Sequence, residues 1–400
     1  MEPIEISVII PCLNEEKTLP DCIETAKKAM LKANIPGEVI VSDNGSTDQS
    51  VMVASTHGAR VVHTTRKGYG NALIGGMRAS QGKFLVMADA DGSYDFNDIP
   101  KFIEPLREGA EFVIGSRIKG TIYPGAMPFL NRYLGTPVLT FFINLFFGCT
   151  ISDVNCGMRA LTKEAFERLN LRAGGMEFAS EMIIKACLLG LKIVEVPTSL
   201  FPDKRDRPPH LRPFRDGWRH LRFIFLFAPT WLFLIPGAIS LLAGSAIMTC
   251  ILFLNLKNFG FFTMFFAQGL IFLGAQVIFL GISARGFAQF KAFLIKNDPV
   301  DRFLRSFTLE KGIALGILLS ITGLGICGWV GYKILEFMAK TENAGIFNAS
   351  LTKIGMVGST IAVLGFQMIF SSFYSGLFNV EVADDVTVGE TPLNHQRETS

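Results

Sequence analysis

The sequence of 400 residues lacks the glycine-rich motifs that bind phosphate in the commonest nucleotide-binding folds. It contains no GxxxxGKS or GxxxxGKT segment, and the glycines of Lys67–Gly70 do not follow the first predicted strand, so neither a P-loop nor a dinucleotide fingerprint is present. The seven cysteines include no CxxC pair, which predicts reduced thiols in the cytosol or the membrane. The formal net charge of only +3 argues against nucleic acid as a partner.

Charge is also scarce after residue 227, where four stretches approach or exceed the roughly 20 apolar residues that cross a bilayer as a helix. They run approximately from Ala228 to Leu254, Phe261 to Ala284, Gly312 to Tyr332 and Ile354 to Gly376. One such stretch could be a buried helix of a soluble protein. Four in succession predict an all-α membrane domain of four transmembrane helices.

The distribution of cations predicts the orientation of these spans. The middle loop carries six Lys and Arg residues, whereas the two outer loops carry one and three. The positive-inside rule therefore predicts a multi-pass protein of the inner or plasma membrane with both termini cytoplasmic. The predicted segments are a cytoplasmic domain at 1–205, an interfacial helix at 206–226, a membrane domain at 227–378 with an amphipathic cytoplasmic loop at 285–311, and a cytoplasmic tail at 379–400.

Short apolar runs alternate with helical patterns in the first 200 residues, which predicts an α/β domain with a mostly parallel sheet covered on both faces. The predicted strands are Ile6–Ile10, Glu38–Ser42, Arg60–His63, Phe84–Met87, Phe112–Ile114 and Ile193–Pro197, and the predicted helices are Glu16–Ala33, Gly70–Ala79, Ile99–Arg107 and Glu177–Leu189. Ligands of such sheets bind beyond the carboxyl ends of the strands, where this sequence has its polar clusters.

An acidic turn follows the predicted strand Phe84–Met87. Asp89 and Asp91 flank one alanine, and paired carboxylates of this kind suit Mg²⁺ or Mn²⁺, which prefer oxygen ligands. Such a metal would neutralise a departing pyrophosphate. A DxD turn alone is equally typical of an ordinary acidic surface, and Asp95 is expected to cap the turn or the helix that follows.

Five segments in order give this turn a context: Pro11–Glu15, Ser42–Asp48, Ala88–Gly92, Ile114–Arg117 and Asn155–Arg159. Their order and spacing resemble those of family 2 glycosyltransferases, and more narrowly the membrane-anchored polyprenyl-phosphate glycosyltransferases of the dolichyl-phosphate mannose or glucose synthase type. The resemblance covers about residues 5 to 225. It implies a GT-A fold, a nucleotide-sugar donor and Mg²⁺ or Mn²⁺ as cofactor.

The resemblance also implies roles for single residues of the donor site. Pro11 and Glu15 would line the base and ribose, Asp43 would bind the base, Gly68 would let the backbone approach the nucleotide, Asp89 would face the ribose or the metal, and Asp91 would be the main metal ligand. Asn44 stands where many members carry a second Asp, and Ser93 stands where some relatives supply a further polar metal ligand.

On the acceptor side, Arg117 and Arg132 match positions that grip the acceptor phosphate, for which the planar guanidinium fork is well suited. Asp153 matches an acidic position near the acceptor. Because a lipid phosphate is already ionised near neutral pH, orientation of the sugar is favoured over a general-base role, and a simple turn cap is an equal alternative. Glu181 is expected to pair with one of these arginines or to lie on a solvated helix face.

The segment before the first span predicts an interfacial helix with two stripes about 110° apart. The basic stripe contains Arg212, Arg215, Arg219 and Arg222, and the apolar stripe contains Phe214, Trp218, Leu221 and Phe225. The helix would hold the catalytic face at the bilayer and collect the anionic lipid head, or serve only as a positive-inside anchor.

These observations favour the transfer of one sugar from a UDP- or GDP-hexose to polyprenyl or dolichyl phosphate at the cytoplasmic membrane face, metal-dependent and with inversion. One alternative is a processive polysaccharide synthase, although the QxxRW motif usual in such enzymes is absent from the sequence. Another is a lipid-sugar translocator or scaffold with a nucleotide-sensing domain. The expected partners are the donor, the lipid acceptor and the bilayer. The sequence leaves open the sugar, the base, the polyprenol and whether the protein is a homo-oligomer.

Overall fold

The structure, a computed structural model, describes residues 3–205, 213–254, 261–290, 308–340 and 349–377. The chain divides into two compact units, and the boundary between them falls between Leu232 and Phe233. The first unit contains a seven-stranded sheet and the second contains four long helices. The predicted division into an α/β region followed by an all-α membrane region is confirmed.

The first unit alternates strands and helices along most of its length. Its strands are β1 (Ile6–Cys12), β2 (Gly37–Asp43), β3 (Arg60–His63), β4 (Phe84–Met87), β5 (Phe112–Ser116), β6 (Arg159–Thr162) and β7 (Ile193–Pro197). Its helices are α1 (Leu19–Lys32), α2 (Ser50–Thr56), α3 (Tyr69–Ala79), α4 (Ile99–Arg107), α5 (Thr136–Phe147), α6 (Lys163–Leu169), α7 (Phe178–Leu188) and α8 (Pro213–Leu226). The six predicted strands and the four predicted helices are all present.

The sheet has the order β3-β2-β1-β4-β6-β5-β7, and only β6 runs antiparallel to its neighbours. The central strands β4 and β5 are buried along their whole length and β1 everywhere except at Pro11, as their continuous apolar runs require in a sheet covered on both faces. Strand β6 escaped the sequence prediction because it is four residues long and begins with a charged residue, Arg159. The antiparallel direction of β6 matters for the site, because β6 begins at the edge of the sheet where β4 ends.

Two further predictions for this unit need correction. Helix α5 was missed, although twelve residues of mostly apolar character precede Gly148, which adopts the left-handed conformation that ends the helix. Cys149 and Cys187 form a disulfide, so the expectation that all cysteines are reduced is wrong. The two cysteines are 38 residues apart in sequence, and only the packing of α5 beside α7 brings their Cα atoms within 5.8 Å.

The second unit consists of α9 (Ile235–Phe253), α10 (Phe261–Phe290), α11 (Leu309–Lys340) and α12 (Ala349–Gly376). Four segments are long and apolar enough to cross a membrane: Thr230–Phe253, Phe261–Ala288, Leu309–Ala339 and Ser350–Gly376. They match the four predicted spans, and the protein is an integral membrane protein. The predicted loop 285–311 falls largely outside the described residues, and the tail 379–400 lies wholly outside them.

Candidate active site

The donor-side residues predicted from the sequence lie at or near the carboxyl edge of the sheet. Strands β1, β2 and β4 are parallel, so the segments that begin after Cys12, Asp43 and Met87 leave the sheet at the same edge. Arg159, the first residue of the antiparallel β6, lies opposite Met87, so the preceding loop starts at this edge as well. The donor motifs and the Asn155–Arg159 motif are therefore brought together by the topology.

Asp89 lies two residues after the end of β4 and is held by two contacts. The Tyr69 hydroxyl donates to its Oδ1 at 2.9 Å, and Gly157 packs so closely that a Cβ atom there would lie 2.5 Å from its Oδ2. Burial is the main cause that raises the pKa of Asp89 to about 6, and the charge of Asp91 adds to it, while the Tyr69 hydrogen bond opposes the shift. A carboxylate that is costly to ionise alone is well suited to bind a cation.

Asp91 is held by the turn in which it lies. Its Oδ1 accepts hydrogen bonds from the backbone N–H of Ser93 at 2.9 Å and from the Ser93 hydroxyl at 2.5 Å. The position predicted as a further metal ligand thus binds the neighbouring carboxylate. Asp95 accepts a hydrogen bond from the backbone N–H of Asn97 at 2.9 Å at the start of a short 3₁₀ turn, so its predicted capping role is confirmed.

Arg205 was missed by the sequence analysis and connects two of the predicted site residues. Its Nη2 lies 3.0 Å from Asp91 Oδ2, and its Nη1 lies 3.3 Å from Glu15 Oε1. Burial acts to lower the pKa of Arg205, but the carboxylates of Asp203, Asp91 and Glu15 outweigh it and raise the pKa. The guanidinium therefore bridges the loops after β1 and β4. Arg205 lies in a run of charged residues, 203–205, and nothing in that run predicts these contacts. They arise because the chain after β7 passes next to the loops that carry Asp91 and Glu15.

The donor-side residues of β1 and β2 are largely buried. Pro11 lies within β1 opposite Ser42. Asp43 accepts hydrogen bonds from the backbone N–H groups of Gly45 and Ser46, and its Oδ2 lies 3.2 Å from His63 Nδ1. Burial acts to raise the pKa of Asp43, but these hydrogen bonds outweigh it and hold the pKa below its ordinary value.

Gly68 sits in a turn that requires glycine. Its φ is +133°, and a Cβ atom there would lie 2.2 Å from the carbonyl oxygen of Gly174. Its N–H donates to Asn44 Oδ1 at 2.6 Å, while the Asn44 amide donates to Thr64 Oγ1 and to the Arg66 carbonyl. An aspartate could not donate these two hydrogen bonds, which explains in physical terms why this chain has asparagine here.

Arg117 and Asp153 form a buried bidentate ion pair. Arg117 Nε lies 2.7 Å from Asp153 Oδ2 and Nη2 lies 2.8 Å from Oδ1, and the carboxylate is fully buried. Burial acts to lower the pKa of Arg117, but Tyr94 and Asp153 outweigh it and raise the pKa. Asp153 also accepts hydrogen bonds from the backbone N–H groups of Arg117 and Asn155. The two predicted acceptor residues thus bind each other, and contact with a substrate stays a prediction.

Arg132 lies on the surface, in the π-helical turn Asn131–Gly135 that leads into α5, with its guanidinium 5.5 Å from the ring centre of Tyr133. Thr136, one turn further on, accepts a hydrogen bond from Asn155 at 3.2 Å, so this turn is tied to the loop that carries Asp153. Both expectations for Glu181 are wrong. Its carboxylate is fully buried and pairs with Lys185 of α7 at 2.7 Å.

A helix is present in the segment before the first span as α8, and its position at the membrane interface stays a prediction. Arg212 lies outside the described residues and Arg215 lies in the first turn of the helix, while Arg219 pairs with Glu177 at 3.1 Å and Arg222 is exposed. The apolar stripe is divided. Leu221 and Phe225 pack on the protein, and the Phe225 ring lies 5.3 Å from Phe142 and 5.4 Å from Phe146 of α5, whereas Trp218 is 62% exposed.

Helix α5 and the turn before it present a second apolar surface that the sequence analysis missed. Six large side chains between residues 129 and 145 are exposed: Phe129, Leu130, Tyr133, Leu134, Phe141 and Leu145. Its other face stacks Phe146 on Trp231, which lies in the first membrane span, at 5.5 Å. The sequence signal for this helix is the run of apolar residues in Thr136–Phe147, which is too short to span a bilayer and therefore predicts no membrane helix.

The residues of the acidic turn fit a hard divalent cation. Asp89 and Asp91 supply only oxygen atoms, and a positive charge from Arg205 already neighbours Asp91 Oδ2. Within the described ranges, no cluster of three or more His, Cys, Asp and Glu residues is arranged to hold a metal. The two aspartates would therefore share the ion with ligands from outside the chain, such as phosphate oxygens.

Comparisons with known proteins agree with this organisation. Residues 7–169 match the model of glycosyl transferase family 2, and residues 282–379 match the model of the glycosyltransferase family 2 C-terminal transmembrane region. The chain is 36% identical over 384 residues to the low-salt glycan biosynthesis hexosyltransferase Agl6 of Haloferax volcanii, which covers 93% of this chain and 88% of that protein. It is 28% identical over 214 residues to the dolichyl-phosphate hexose transferase of the same organism, which covers 53% of this chain and 89% of that protein.

Among solved structures, the glucosyl-3-phosphoglycerate synthase of Mycobacterium tuberculosis in complex with Mn²⁺ and UDP-glucose is similar over 56% of this chain and 78% of that chain, with 26% identity and a TM-score of 0.45. The family assignment rests on the sequence matches, which extend through both units. With its α/β domain of GT-A type and its four candidate membrane helices, the chain belongs to the family 2 glycosyltransferases.

Proposed function

We propose that this glycosyltransferase transfers a single sugar from a UDP- or GDP-hexose to polyprenyl or dolichyl phosphate at the cytoplasmic membrane face, with inversion and with Mg²⁺ or Mn²⁺ as cofactor. The product would serve the synthesis of cell-envelope glycans or glycoconjugates. The domain 1–205 would carry the reaction, the segment 206–226 would lie at the interface, and residues 227–378 would anchor the enzyme.

The observation that carries the donor assignment is the convergence of carboxylates at the edge of the sheet. Asp91 and Glu15 come from different loops, yet one guanidinium, that of Arg205, contacts both. Asp89 lies two residues from Asp91 and has a raised pKa. Negative charge concentrated in this way favours a bound cation, and a cation here favours a nucleotide pyrophosphate.

Asp89 and Asp91 would hold the divalent ion, which when bound would neutralise the charge that develops on the departing pyrophosphate. Tyr69 fixes the orientation of the Asp89 carboxylate, and Ser93 fixes that of Asp91. Asp43, Glu15 and Pro11 would line the base and ribose. The Gly68 backbone would approach the nucleotide, and its positive φ is one that glycine adopts readily.

Arg117 would orient the acceptor phosphate, and Asp153 would hold the guanidinium in a fixed direction. An ionised phosphate needs no strong base, so the bidentate pair supports orientation rather than proton transfer as the role of Asp153. Arg132 would contact the same phosphate. The similarity to a dolichyl-phosphate hexose transferase supports a lipid phosphate as acceptor.

The exposed apolar residues of α5 and α8 support the approach of a lipid acceptor. Phe141, Trp218 and Leu226 are each about 60% exposed. Arg222 is exposed on α8, where a cation would attract an anionic lipid head.

The test uses the purified full chain with labelled UDP-glucose and GDP-mannose, Mg²⁺ or Mn²⁺, and a short polyprenyl phosphate. We expect a chloroform-soluble product with one sugar per lipid. Asp91→Asn should reduce its formation by about 10² to 10³, the usual effect of removing an electrostatic contact from a transition state. Asp95→Asn is the matched control, because Asp95 lies in the same acidic segment but caps a turn.

Three results would contradict the proposal in different ways. Equal turnover by Asp91→Asn and wild-type protein would contradict the assignment of Asp91 as a metal ligand. A product with several sugars per lipid would support a processive synthase. Nucleotide binding without transfer to any lipid phosphate would support the nucleotide-sensing alternative.

A further inference from the structure

Helix α7 contains a buried ion pair that the proposed reaction does not use. Glu181 is fully buried and Lys185 is 2% exposed, and their side chains meet at 2.7 Å, one helical turn apart. Removing two charges from water costs several kcal/mol per ion, and a well-packed apolar pair is often at least as stable as the ion pair. Stability alone therefore does not account for two buried charges on this helix.

The pair binds the backbone of the loop that precedes α7. Glu181 Oε2 accepts hydrogen bonds from the N–H groups of Arg172 at 2.9 Å and Ala173 at 2.7 Å, and Oε1 accepts a further one from Arg172 at 3.0 Å. Lys185 Nζ donates to the carbonyl oxygen of Asn170 at 2.8 Å, where the chain adopts a positive φ of 43°. The carboxylate and the ammonium thus hold consecutive parts of one loop.

This loop packs directly on the donor-side turn Gly68–Asn71. The N–H of Asn71 donates to the carbonyl oxygen of Gly174 at 3.1 Å. A Cβ atom at Gly68 would lie 2.2 Å from the Gly174 oxygen, and one at Gly70 would lie 2.2 Å from the Ala173 oxygen. Two backbone segments therefore meet without intervening side chains, so a shift of the loop must move the turn.

The Gly68–Asn71 turn contains Tyr69, whose hydroxyl donates a hydrogen bond to Asp89 Oδ1 at 2.9 Å. Phe178, the first residue of α7, packs edge-on against the Tyr69 ring with the centroids 6.5 Å apart. The contacts form a continuous path from Glu181 through Ala173 to Gly70, and from there through Tyr69 to Asp89. Its far end is the carboxylate assigned to the donor and the metal.

We infer that Glu181, supported by Lys185, is a positioning residue for donor binding: it anchors the 170–175 loop so that the Gly68–Asn71 turn is held where the nucleotide sugar binds. This inference rests on the proposed function. The carboxylate supplies oxygen atoms for two adjacent N–H groups, which an apolar side chain cannot do, and Lys185 compensates its charge.

The experiment compares two paired substitutions in the full chain, so that no buried charge is left alone. Glu181→Leu with Lys185→Met keeps an apolar interior and removes the acceptor for the loop. Glu181→Gln with Lys185→Met also removes both charges, but it retains an amide oxygen that can accept from the loop. Ile184→Val, at a fully buried position of the same helix, is the control for a general loss of stability.

The first measurement is hydrogen exchange at the amides of residues 170–175, and the second is the Kd of UDP-glucose and GDP-mannose with Mn²⁺. For Glu181→Leu with Lys185→Met we expect at least tenfold faster exchange in the loop and a roughly tenfold higher Kd for the bound donor, with a nearly unchanged Tm. The paired variant with glutamine should recover most of the affinity. Ile184→Val should lower Tm without changing the Kd.

An unchanged donor Kd in the leucine variant, alongside accelerated exchange, would overturn the positioning role while leaving the proposed function intact. Equal loss of affinity in the leucine and glutamine variants would also overturn it, because the retained oxygen would then have no effect. Failure of the wild-type chain to bind either nucleotide sugar would instead refute the donor assignment, and this inference with it.

Discussion

The two units of this protein differ in how their elements are held together. In the α/β unit, charged side chains are buried and paired: Arg117 with Asp153, Glu181 with Lys185, and Arg159 with the carbonyl oxygens of Cys156, Ala179 and Val154. In the membrane unit, the helices approach each other at glycines. A Cβ atom at Gly274 of α10 would lie 2.4 Å from the Leu241 nitrogen of α9, and one at Gly323 of α11 would lie 2.3 Å from the Ala362 nitrogen of α12.

The difference follows from the two solvents. In water, apolar burial drives folding, and directional hydrogen bonds then fix loops such as the one before α7. In a bilayer the lipid tails are as apolar as the side chains, so helices associate mainly through close packing at small residues. A reacting site that must hold charges in fixed directions is therefore expected in the first unit.

The largest effect should come from breaking a buried pair of the first unit. Arg117→Met leaves Asp153 buried without its partner, and we expect a loss of about 3 to 5 kcal/mol. Arg168→Met is the matched control, because Arg168 pairs with Glu111 but is 49% exposed, and its loss should cost at most about 1 kcal/mol. Thermal unfolding of the full chain in detergent measures both, and equal shifts in Tm would contradict the contrast.

A smaller effect is expected from filling a glycine contact in the second unit. Gly274→Ala places a methyl group against the backbone of α9, which should cost about 1 to 3 kcal/mol. Gly269→Ala lies on the same helix with no neighbouring atom within 4 Å of the added carbon, so it should be nearly neutral. The measurement is the thermal stability of each variant in the same detergent. If both variants behaved alike, close packing at glycine would not explain how α9 and α10 associate.

The two units could be predicted from the sequence because their apolar runs differ in length. Long apolar runs identify membrane helices whatever their partners are, and the short runs Ile6–Ile10 and Phe84–Met87 identify buried parallel strands. Pairings remote in sequence left no comparable signal. Strand β6 is only four residues long, Cys149 and Cys187 meet through helix packing, and Arg205 reaches Glu15 across 190 positions. The family motifs identified Asp89 and Asp91, but not the side chains that hold them.

The smallest effect concerns Arg205, whose ion pairs are less buried than the Arg117–Asp153 pair. Its guanidinium contacts Asp91 Oδ2 at 3.0 Å, so a metal bound at that oxygen must displace it. Arg205→Gln removes the competing charge. Because a pair of this exposure contributes up to about 1 kcal/mol, we expect the free site to bind Mn²⁺ roughly three- to fivefold more tightly.

Calorimetric titration of the full chain with Mn²⁺, without nucleotide, measures this change. Arg60→Gln is the control, since Arg60 pairs with Glu38 at 2.7 Å on a different part of the same sheet and should leave Mn²⁺ affinity unchanged. Weaker or equal binding by Arg205→Gln would mean that guanidinium and metal do not share Asp91. Tighter binding would identify Arg205 as the group that neutralises the donor-site carboxylates until a metal and a pyrophosphate replace it.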